Sequence, residues 1–232
     1  MIRFKKLNTL TPFDWFLIIG IVTMNVVYSV VKGEFDVLGS VAGISGVICV
    51  VLVARGNILN YIFGIINVSL YAWISFKAEL YGDAALNAFY YFPMQFIGWY
   101  IWITKRESEE SVTVVAKRLN LKQRTLLAIL SVTLVVAGAY MLNLFNDPQP
   151  LKDSATTVLS VIAMFLMVKT FMEQWVLWII VNVISVAMWV FAFAAGEDHS
   201  MLMVIMWLFY LSNSINGWIS WLKLSKQEHA RG

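Results

Sequence analysis

Residues 174–196 read QWVLWIIVNVISVAMWVFAFAAG, 23 consecutive positions without Asp, Glu, Lys or Arg. A helix that crosses the hydrocarbon core of a bilayer needs about 20 mostly apolar residues, so this stretch has the length and composition of one membrane span. Seven more stretches lack the same four residue types: 15–31, 37–54, 56–76, 84–104, 125–146, 154–168 and 200–222. We therefore predict an all-α polytopic membrane protein with eight transmembrane helices.

The overall composition supports this class. Hydrophobic residues make up 60% of the 232 positions, charged residues make up 13%, and the mean hydropathy is +0.74. Soluble domains carry about 25% charged residues, so a soluble fold is excluded. The stretch 154–168 is short for a span, and it fits if the Lys169 side chain snorkels to the interface. The alternating ten-residue segments of a membrane β-barrel do not occur.

The basic residues predict the orientation. With the N-terminus in the cytoplasm, only Lys32, Lys77 and Lys152 of the 17 Lys and Arg residues fall outside, which leaves fourteen inside. Cytoplasmic loops of membrane proteins carry an excess of Lys and Arg. Both termini are therefore expected in the cytoplasm, and the basic segment 105–124 is expected to be a cytoplasmic loop or a short surface helix.

An internal repeat is visible at the ends of two spans. Residues 98–102 read GWYIW near the end of the fourth span, and residues 217–221 read GWISW near the end of the eighth. Asn67 in the third span has a counterpart in Asn182 of the seventh. Two matched motifs on corresponding helices indicate two three-helix units in the same orientation, because one crossing helix separates them.

The predicted layout is a single membrane domain over 1–232 with a 3+1+3 parallel-repeat core. It comprises an extra N-terminal helix at 13–31, a first three-helix repeat at 36–104, a cytoplasmic loop and linker helix at 105–153, and a second three-helix repeat at 154–223. Parallel repeats are a known transporter architecture in which the substrate binds at mid-membrane depth.

The spans contain no deeply placed charged residue, which argues against a proton- or ion-coupled pump. Catalysis is not expected either, because His199 and His229 lie outside the spans and no nucleophile–base or metal-ligand spacing occurs. The only cysteine, Cys49, lies within a span, so no disulfide, metal site or cofactor is predicted. Glutamates at 107, 109 and 110 offset the basic segment 105–124, so nucleic-acid binding is not expected.

Four amides occupy the middle of their spans: Asn67, Gln95, Asn182 and Asn213. An unpaired amide in hydrocarbon costs several kcal/mol, so each must face protein, water or a ligand. The alternative to a ligand site is hydrogen bonding between helices. Four amides at similar depth, on corresponding helices of two repeats, favour a lined cavity.

The seventh span also carries aromatic side chains at helical spacing. Trp178, Asn182 and Trp189 lie on one face together with Ser185, and Trp175 lies beside this face. Such a face suits a flat heteroaromatic ligand, and a cationic one would gain cation–π attraction.

Other features of these helices have a structural alternative. Trp175, Trp102 and Trp221 could instead be interfacial anchors at the cytoplasmic end. On the eighth span Tyr210 shares a face with Asn213, and the glycines Gly98 and Gly217 are interpreted first as packing residues.

The pattern Glu173-x-Trp175-x-x-Trp178-x-x-x-Asn182, the later Trp189 and the paired GWxxW endings resemble the PnuC family of bacterial nicotinamide riboside transporters over residues 36–223. That family is similar in architecture to the sugar-transporting SWEET proteins. The resemblance implies uptake of nicotinamide riboside, a form of vitamin B3 used in NAD biosynthesis, across the bacterial inner (plasma) membrane. It also implies facilitated diffusion, trapping by a cytoplasmic riboside kinase, and a homotrimer in the lipid bilayer.

We expect alternating access around a central site. In this interpretation Trp178, Trp189 and Trp175 stack on the pyridinium ring, and Asn182, Gln95 and Asn213 bind the carboxamide and ribose. Asn67 and Tyr210 contribute further contacts. Two alternatives stay open: a transporter of another vitamin such as thiamine or riboflavin, and a membrane scaffold that transports nothing.

Overall fold

The computed structural model describes residues 10–32, 37–77, 81–105, 113–147, 149–195 and 200–229. Within these ranges the chain is helical apart from short connections, and it forms eight helices and no β-strand. The helices are α1 Pro12–Lys32, α2 Val37–Ala54, α3 Asn60–Lys77, α4 (Tyr81–Leu86, Asn87–Tyr91 and Phe92–Thr104), α5 Leu121–Leu144, α6 Pro150–Val168, α7 Gln174–Ala194 and α8 Ser200–His229. The predicted all-α fold is confirmed.

Four of the helices in the described residues are long and apolar enough to cross a membrane by themselves. They are α2, α5, α6 and the part Gln174–Phe191 of α7, with mean hydropathies of 2.5, 2.2, 1.6 and 1.9. Only 6% of the α5 window is buried in the protein. An exposed apolar surface of this size is typical of a helix in contact with lipid, so the chain is a multi-pass membrane protein.

Two helices differ in extent from the predicted spans. Helix α5 begins at Leu121 rather than 125, because Asn120 and Gln123 form a reciprocal capping box at its N-terminus. Helix α6 begins at Pro150 and has 19 residues. The four added residues include Lys152 and Asp153, so the apolar part of α6 is still 154–168, and the snorkelling of Lys169 stays a prediction.

The chain divides into two compact units, residues 1–115 and residues 116–232. In the first unit, α2 ends at a corner where Gly56 has φ 62°, a left-handed conformation that glycine adopts at little cost. The Gly56 carbonyl accepts a hydrogen bond from Val114 N at 2.9 Å. Arg55, on the same corner, pairs with the fully buried Asp14 of α1 through two bonds of 2.6 and 2.8 Å. This ion pair fixes α1 to the end of α2.

The second unit has a corner of the same kind after α6. Thr170 has φ 65°, and its carbonyl accepts a hydrogen bond from Lys117 N at 2.8 Å. Glu173, three residues on, accepts Arg124 Nε at 3.0 Å and Leu119 N at 3.1 Å. The start of α5 is thereby fixed to the start of α7. Residues 113–120, the described residues of the basic segment that directly precede α5, are not helical. This part of the segment is therefore a loop and not a surface helix.

Helix α4 contains a π-helical turn over Asn87–Tyr91. Pro93 is the second residue after this turn, and proline both lacks an N–H and clashes with the carbonyl four residues earlier. A wider turn before the proline relieves that clash. Insertions of this kind change the facing of every later residue in the helix and are frequent at functional sites; Gln95 lies one turn beyond.

Candidate functional site

Asn182 lies in the core of the second unit and joins two helices. Its side chain is 5% exposed, and Nδ2 donates a hydrogen bond of 2.8 Å to Ser214 Oγ on α8. The hydrogen bond fixes the orientation of the amide. Asn213 precedes Ser214 in the chain and is 3% exposed. Two of the predicted site amides, Asn182 and Asn213, therefore lie at a similar height along the paired helices α7 and α8.

The three tryptophans of α7 differ in exposure. Trp178 and Trp189 are half-buried and leave part of their rings accessible. Trp178 also packs against the apolar core cluster that includes Leu177 and Val181. Trp175 is only 2% exposed. Ring surface for a ligand is thus offered by Trp178 and Trp189 rather than by Trp175.

Trp175 packs inside the second unit. Its six-membered ring lies directly on Gly217 of α8, where any Cβ would overlap it. Its ring also meets Trp221 edge-on, with centroids 6.2 Å apart at an interplanar angle of 69°. Trp221 is fully buried. The alternative that Trp175 and Trp221 are interfacial anchors is wrong, because neither ring is exposed to a headgroup region.

The first unit contains the same three-residue arrangement. Tyr61 of α3 lies on Gly98 of α4 and meets Trp102 edge-on, at 5.2 Å and 84°. Tyr61 and Trp102 are both fully buried, so Trp102 is not an interfacial anchor either. The interpretation of Gly98 and Gly217 as packing residues is confirmed, since each receives an aromatic ring from a neighbouring helix.

Gln95 is the most distinctive amide of the first unit. It is 4% exposed, and its side-chain carbonyl lies against Gly64 of α3, which has no Cβ to displace it. Cys49 Sγ of α2 also packs on Gly64, 3.3 Å from the position that a Cβ would take there. Within the described residues, no donor forms a hydrogen bond to Gln95 Oε1. A buried acceptor without a donor is costly, by about 1–3 kcal/mol, and a bound ligand that donates a hydrogen bond would recover that cost.

Asn67 is held by a bond between helices. Its Nδ2 donates to the Ala42 carbonyl of α2 at 2.8 Å. Gly46, one turn further along α2, makes room for it, since a Cβ there would lie 2.7 Å from Asn67 Nδ2. This geometry is that of interhelical hydrogen bonding, the alternative considered for these amides. Asn67 is half-buried, so one edge of its amide remains accessible.

Tyr210 is half-buried on α8 and packs against Trp207, with ring centroids 5.7 Å apart. It lies one turn before Asn213 and Ser214. Its ring and hydroxyl therefore belong to the same stretch of α8 as the Asn182 contact.

Two residues of interest were not predicted from sequence. Gln174 is fully buried at the start of α7, and within the described residues neither of its amide atoms has a hydrogen-bond partner. The signal in the sequence is its position: Gln174 follows Glu173 directly and stands at the end of an apolar stretch. Pro93 within an otherwise uninterrupted span was the signal for the π-helical turn. In the described residues no group of three His, Cys, Asp or Glu side chains is placed to hold a metal ion.

Comparisons with known proteins agree on one family. The model of the nicotinamide mononucleotide transporter family matches residues 36–223. The nicotinamide riboside transporter PnuC of Neisseria mucosa is 38% identical over 193 residues, which cover 82% of this chain and 73% of that protein. The PnuC of Haemophilus influenzae is 32% identical over 191 residues, covering 82% and 81%.

A solved structure is also similar. The crystal structure of the vitamin B3 transporter PnuC superposes with a TM-score of 0.73 at 35% sequence identity, and the match covers 94% of each chain. The similarity thus extends over nearly the whole fold and beyond the short motifs of α4, α7 and α8.

Proposed function

Because this chain belongs to the nicotinamide mononucleotide transporter family, which is a family of transporters and not of enzymes, we propose that it takes up nicotinamide riboside. The observation that carries the substrate is the 38% identity to a nicotinamide riboside transporter over 82% of the chain. The chemistry of the polar interior supports it. Nicotinamide riboside joins a cationic pyridinium ring to a ribose and carries a carboxamide, and the candidate site residues supply aromatic rings and amides.

In this proposal Trp178 and Trp189 stack on the pyridinium ring. Both keep ring surface accessible, and a tryptophan face attracts a cation by roughly 0.5–2 kcal/mol. Trp175 acts by supporting α7, since it is held between Gly217 and Trp221. A direct contact of Trp175 with the ligand would require the α7–α8 packing to open.

The amides then supply the hydrogen bonds. We assign Gln95 Oε1 to accept from an N–H or O–H of the substrate, because no described donor binds it. Since this atom is buried against Gly64, the contact requires α3 and α4 to separate locally. Asn182 is oriented by Ser214 and presents its remaining polar edge. Asn213 and Tyr210 are further contacts on α8, and Asn67 is the least favoured because its Nδ2 is committed to Ala42.

We further propose eight transmembrane helices with both termini in the cytoplasm of the bacterial inner membrane, in the 3+1+3 parallel arrangement with α1 as the extra helix. The contacts of Tyr61, Gly98 and Trp102 in one unit and of Trp175, Gly217 and Trp221 in the other support a repeat. The protein would act as a homotrimer by alternating access. Facilitated diffusion would be followed by phosphorylation of the substrate by a cytoplasmic kinase.

Uptake of radiolabelled nicotinamide riboside into proteoliposomes tests the substrate. Accumulation should stop at the external concentration and should persist after a protonophore collapses the proton gradient. Unlabelled nicotinamide riboside should compete, and thiamine and riboflavin should not. Competition by thiamine or riboflavin alone would reassign the vitamin, and the absence of any uptake would favour the non-transporting scaffold.

Binding to the purified protein and to Asn182→Ala tests the site. Weaker binding to the variant is expected, because the substitution removes one amide and leaves Ser214 without its donor. Unchanged affinity would remove Asn182 from the site. A Ser45→Ala variant is the matched control. Among the described residues, the Ser45 hydroxyl donates a hydrogen bond to the Ala42 carbonyl of its own helix, so its removal should not change substrate binding.

A further inference from the structure

The first unit carries an apolar groove that the substrate does not explain. It lies between the C-terminal half of α3 and the first turns of α4 and has a volume of about 520 Å³. Its lining is apolar or aromatic except for Ser69 and the hydroxyl of Tyr81. Sites for small polar ligands need several convergent polar groups besides apolar surface, so this groove is unsuited to a riboside.

The walls of the groove are aromatic and the floor is built from small residues. Trp73 stacks on Phe76 with centroids 6.4 Å apart, and Phe76 meets Tyr81 edge-on at 5.8 Å. Ala85 is one of the alanines that line the groove, and their small side chains leave its space unfilled. Phe89 forms the far end and is 82% exposed. In a membrane-spanning helix, a side chain as exposed as Phe89 contacts lipid, so the groove opens toward the hydrocarbon.

A cation stands at the other end. The Lys77 ammonium lies 4.9 Å from the centroid of the Trp73 ring, at the C-terminus of α3. Tryptophan and tyrosine are enriched at the level of the lipid headgroups, and Trp73 and Tyr81 flank this end of the groove. The groove is thus apolar at its membrane-embedded end, and its interfacial end carries the Lys77 ammonium together with the Asp83 carboxylate in the first turn of α4.

From this polarity we propose that the α3–α4 groove binds a membrane phospholipid. One acyl chain lies between Trp73, Phe76 and Phe89, and the headgroup phosphate pairs with Lys77. An ammonium and a phosphate form a charge-assisted hydrogen bond, which is stronger than a neutral one. The proposal requires a membrane protein but no particular transported substrate.

Photolabelling tests the groove with the full chain in lipid nanodiscs. The probe is a phosphatidylethanolamine that carries a diazirine in one acyl chain. After illumination and trypsin digestion, mass spectrometry compares the label on peptides 56–77 and 78–105 with that on peptide 125–152, which comes from the lipid-exposed helix α5. We expect the label to concentrate on the two α3–α4 peptides.

Two substitutions locate the lipid. Ala85→Trp fills the floor and should lower the α3–α4 label several-fold, whereas Ala128→Trp, the same change at an exposed position of α5, should leave it unchanged. Lys77→Gln also removes the tryptic site at 77, so its label is read on the single peptide 56–105; it should be about fivefold below the sum of the two wild-type peptides, the effect of one basic residue near a membrane surface. Ala88→Phe serves as a second filling variant if Ala85→Trp does not fold.

Three results would overturn the proposal. One is label on the α3–α4 peptides no higher than on the α5 peptide. Another is high label that neither filling variant reduces. The third is a combination of two findings: the groove is unlabelled, and Ala85→Trp changes the molar mass of the detergent-solubilised protein measured by light scattering. In that case the occupant of the groove would be a second copy of the chain.

Discussion

Replacing Gln95 by methionine separates a ligand-binding amide from one that only joins helices. Methionine is nearly the same length and is flexible, so it can fill the space beside Gly64 without strain. The change removes Oε1, which accepts no hydrogen bond from the described residues. Folding therefore loses no hydrogen bond at that atom, and the thermal midpoint should stay the same or rise.

Binding should respond in the opposite direction. If the substrate donates a hydrogen bond to Gln95 Oε1, its removal leaves a buried donor of the substrate unpaired in the complex, at a cost of about 1–3 kcal/mol. Since each 1.4 kcal/mol is a factor of ten in affinity, Kd should rise roughly 5- to 150-fold. Gln95 and Gly64 belong to the same unit, so the local separation of α3 and α4 that exposes Oε1 takes place within that unit.

Isothermal titration of nicotinamide riboside into purified protein measures Kd, and differential scanning fluorimetry of the same samples measures the thermal midpoint. Gln149→Met, the same substitution at the exposed N-cap of α6, is the control; it should leave Kd unchanged and should lower the thermal midpoint only slightly, because it removes the exposed hydrogen bond from Lys152 Nζ. An unchanged Kd for Gln95→Met would refute the assignment of Oε1 to the substrate. A fall in both affinity and thermal midpoint would identify Gln95 as a residue that stabilises the helix packing.

Two other substitutions test the second unit. Ser214→Ala leaves Asn182 Nδ2 without the acceptor it has at 2.8 Å and should destabilise the protein by about 1–3 kcal/mol in urea unfolding; no loss of stability would mean that the amide finds another partner. Gly217→Ala forces a methyl group against the Trp175 ring and should cost about 1–3 kcal/mol by overpacking, measured as a lower thermal midpoint. Gly82→Ala, where a Cβ meets nothing within 4 Å, is its control and should be neutral or stabilising; equal effects of the two glycine variants would contradict the packing argument.

The extent of the helices was predictable because membrane insertion depends on local composition. The stretch 174–196 and the observed α7, Gln174–Ala194, nearly coincide. Where prediction and structure differ, a specific interaction is responsible: the Asn120–Gln123 capping box starts α5 early. The corners at Gly56 and Thr170, and the backbone bonds that reach them from 113–117, depend on tertiary contacts that no window of apolar residues contains.

The candidate site was predictable in residue type but not in partner. Buried amides had to bind something, yet only the structure distinguishes Asn67, bonded to a backbone carbonyl, from Gln95, whose carbonyl is left without a described donor. Trp102 and Trp221 were weighed as interfacial anchors because each is followed closely by a lysine. They are instead buried against Tyr61 and Trp175, and each of these contacts depends on a glycine four residues earlier on the same helix as the tryptophan.

The ion pair between Asp14 and Arg55 has a consequence for biosynthesis. The two residues are 41 positions apart in the chain, and at roughly 5–20 residues per second the ribosome needs about 2–8 s to add the second after the first. The two residues leave the ribosomal tunnel in the same order and with the same delay, so the Asp14 carboxylate has to stay hydrated until Arg55 emerges. Helix α1 is therefore fixed in the protein only after α2, which carries Arg55 at its end, has followed it out of the ribosome.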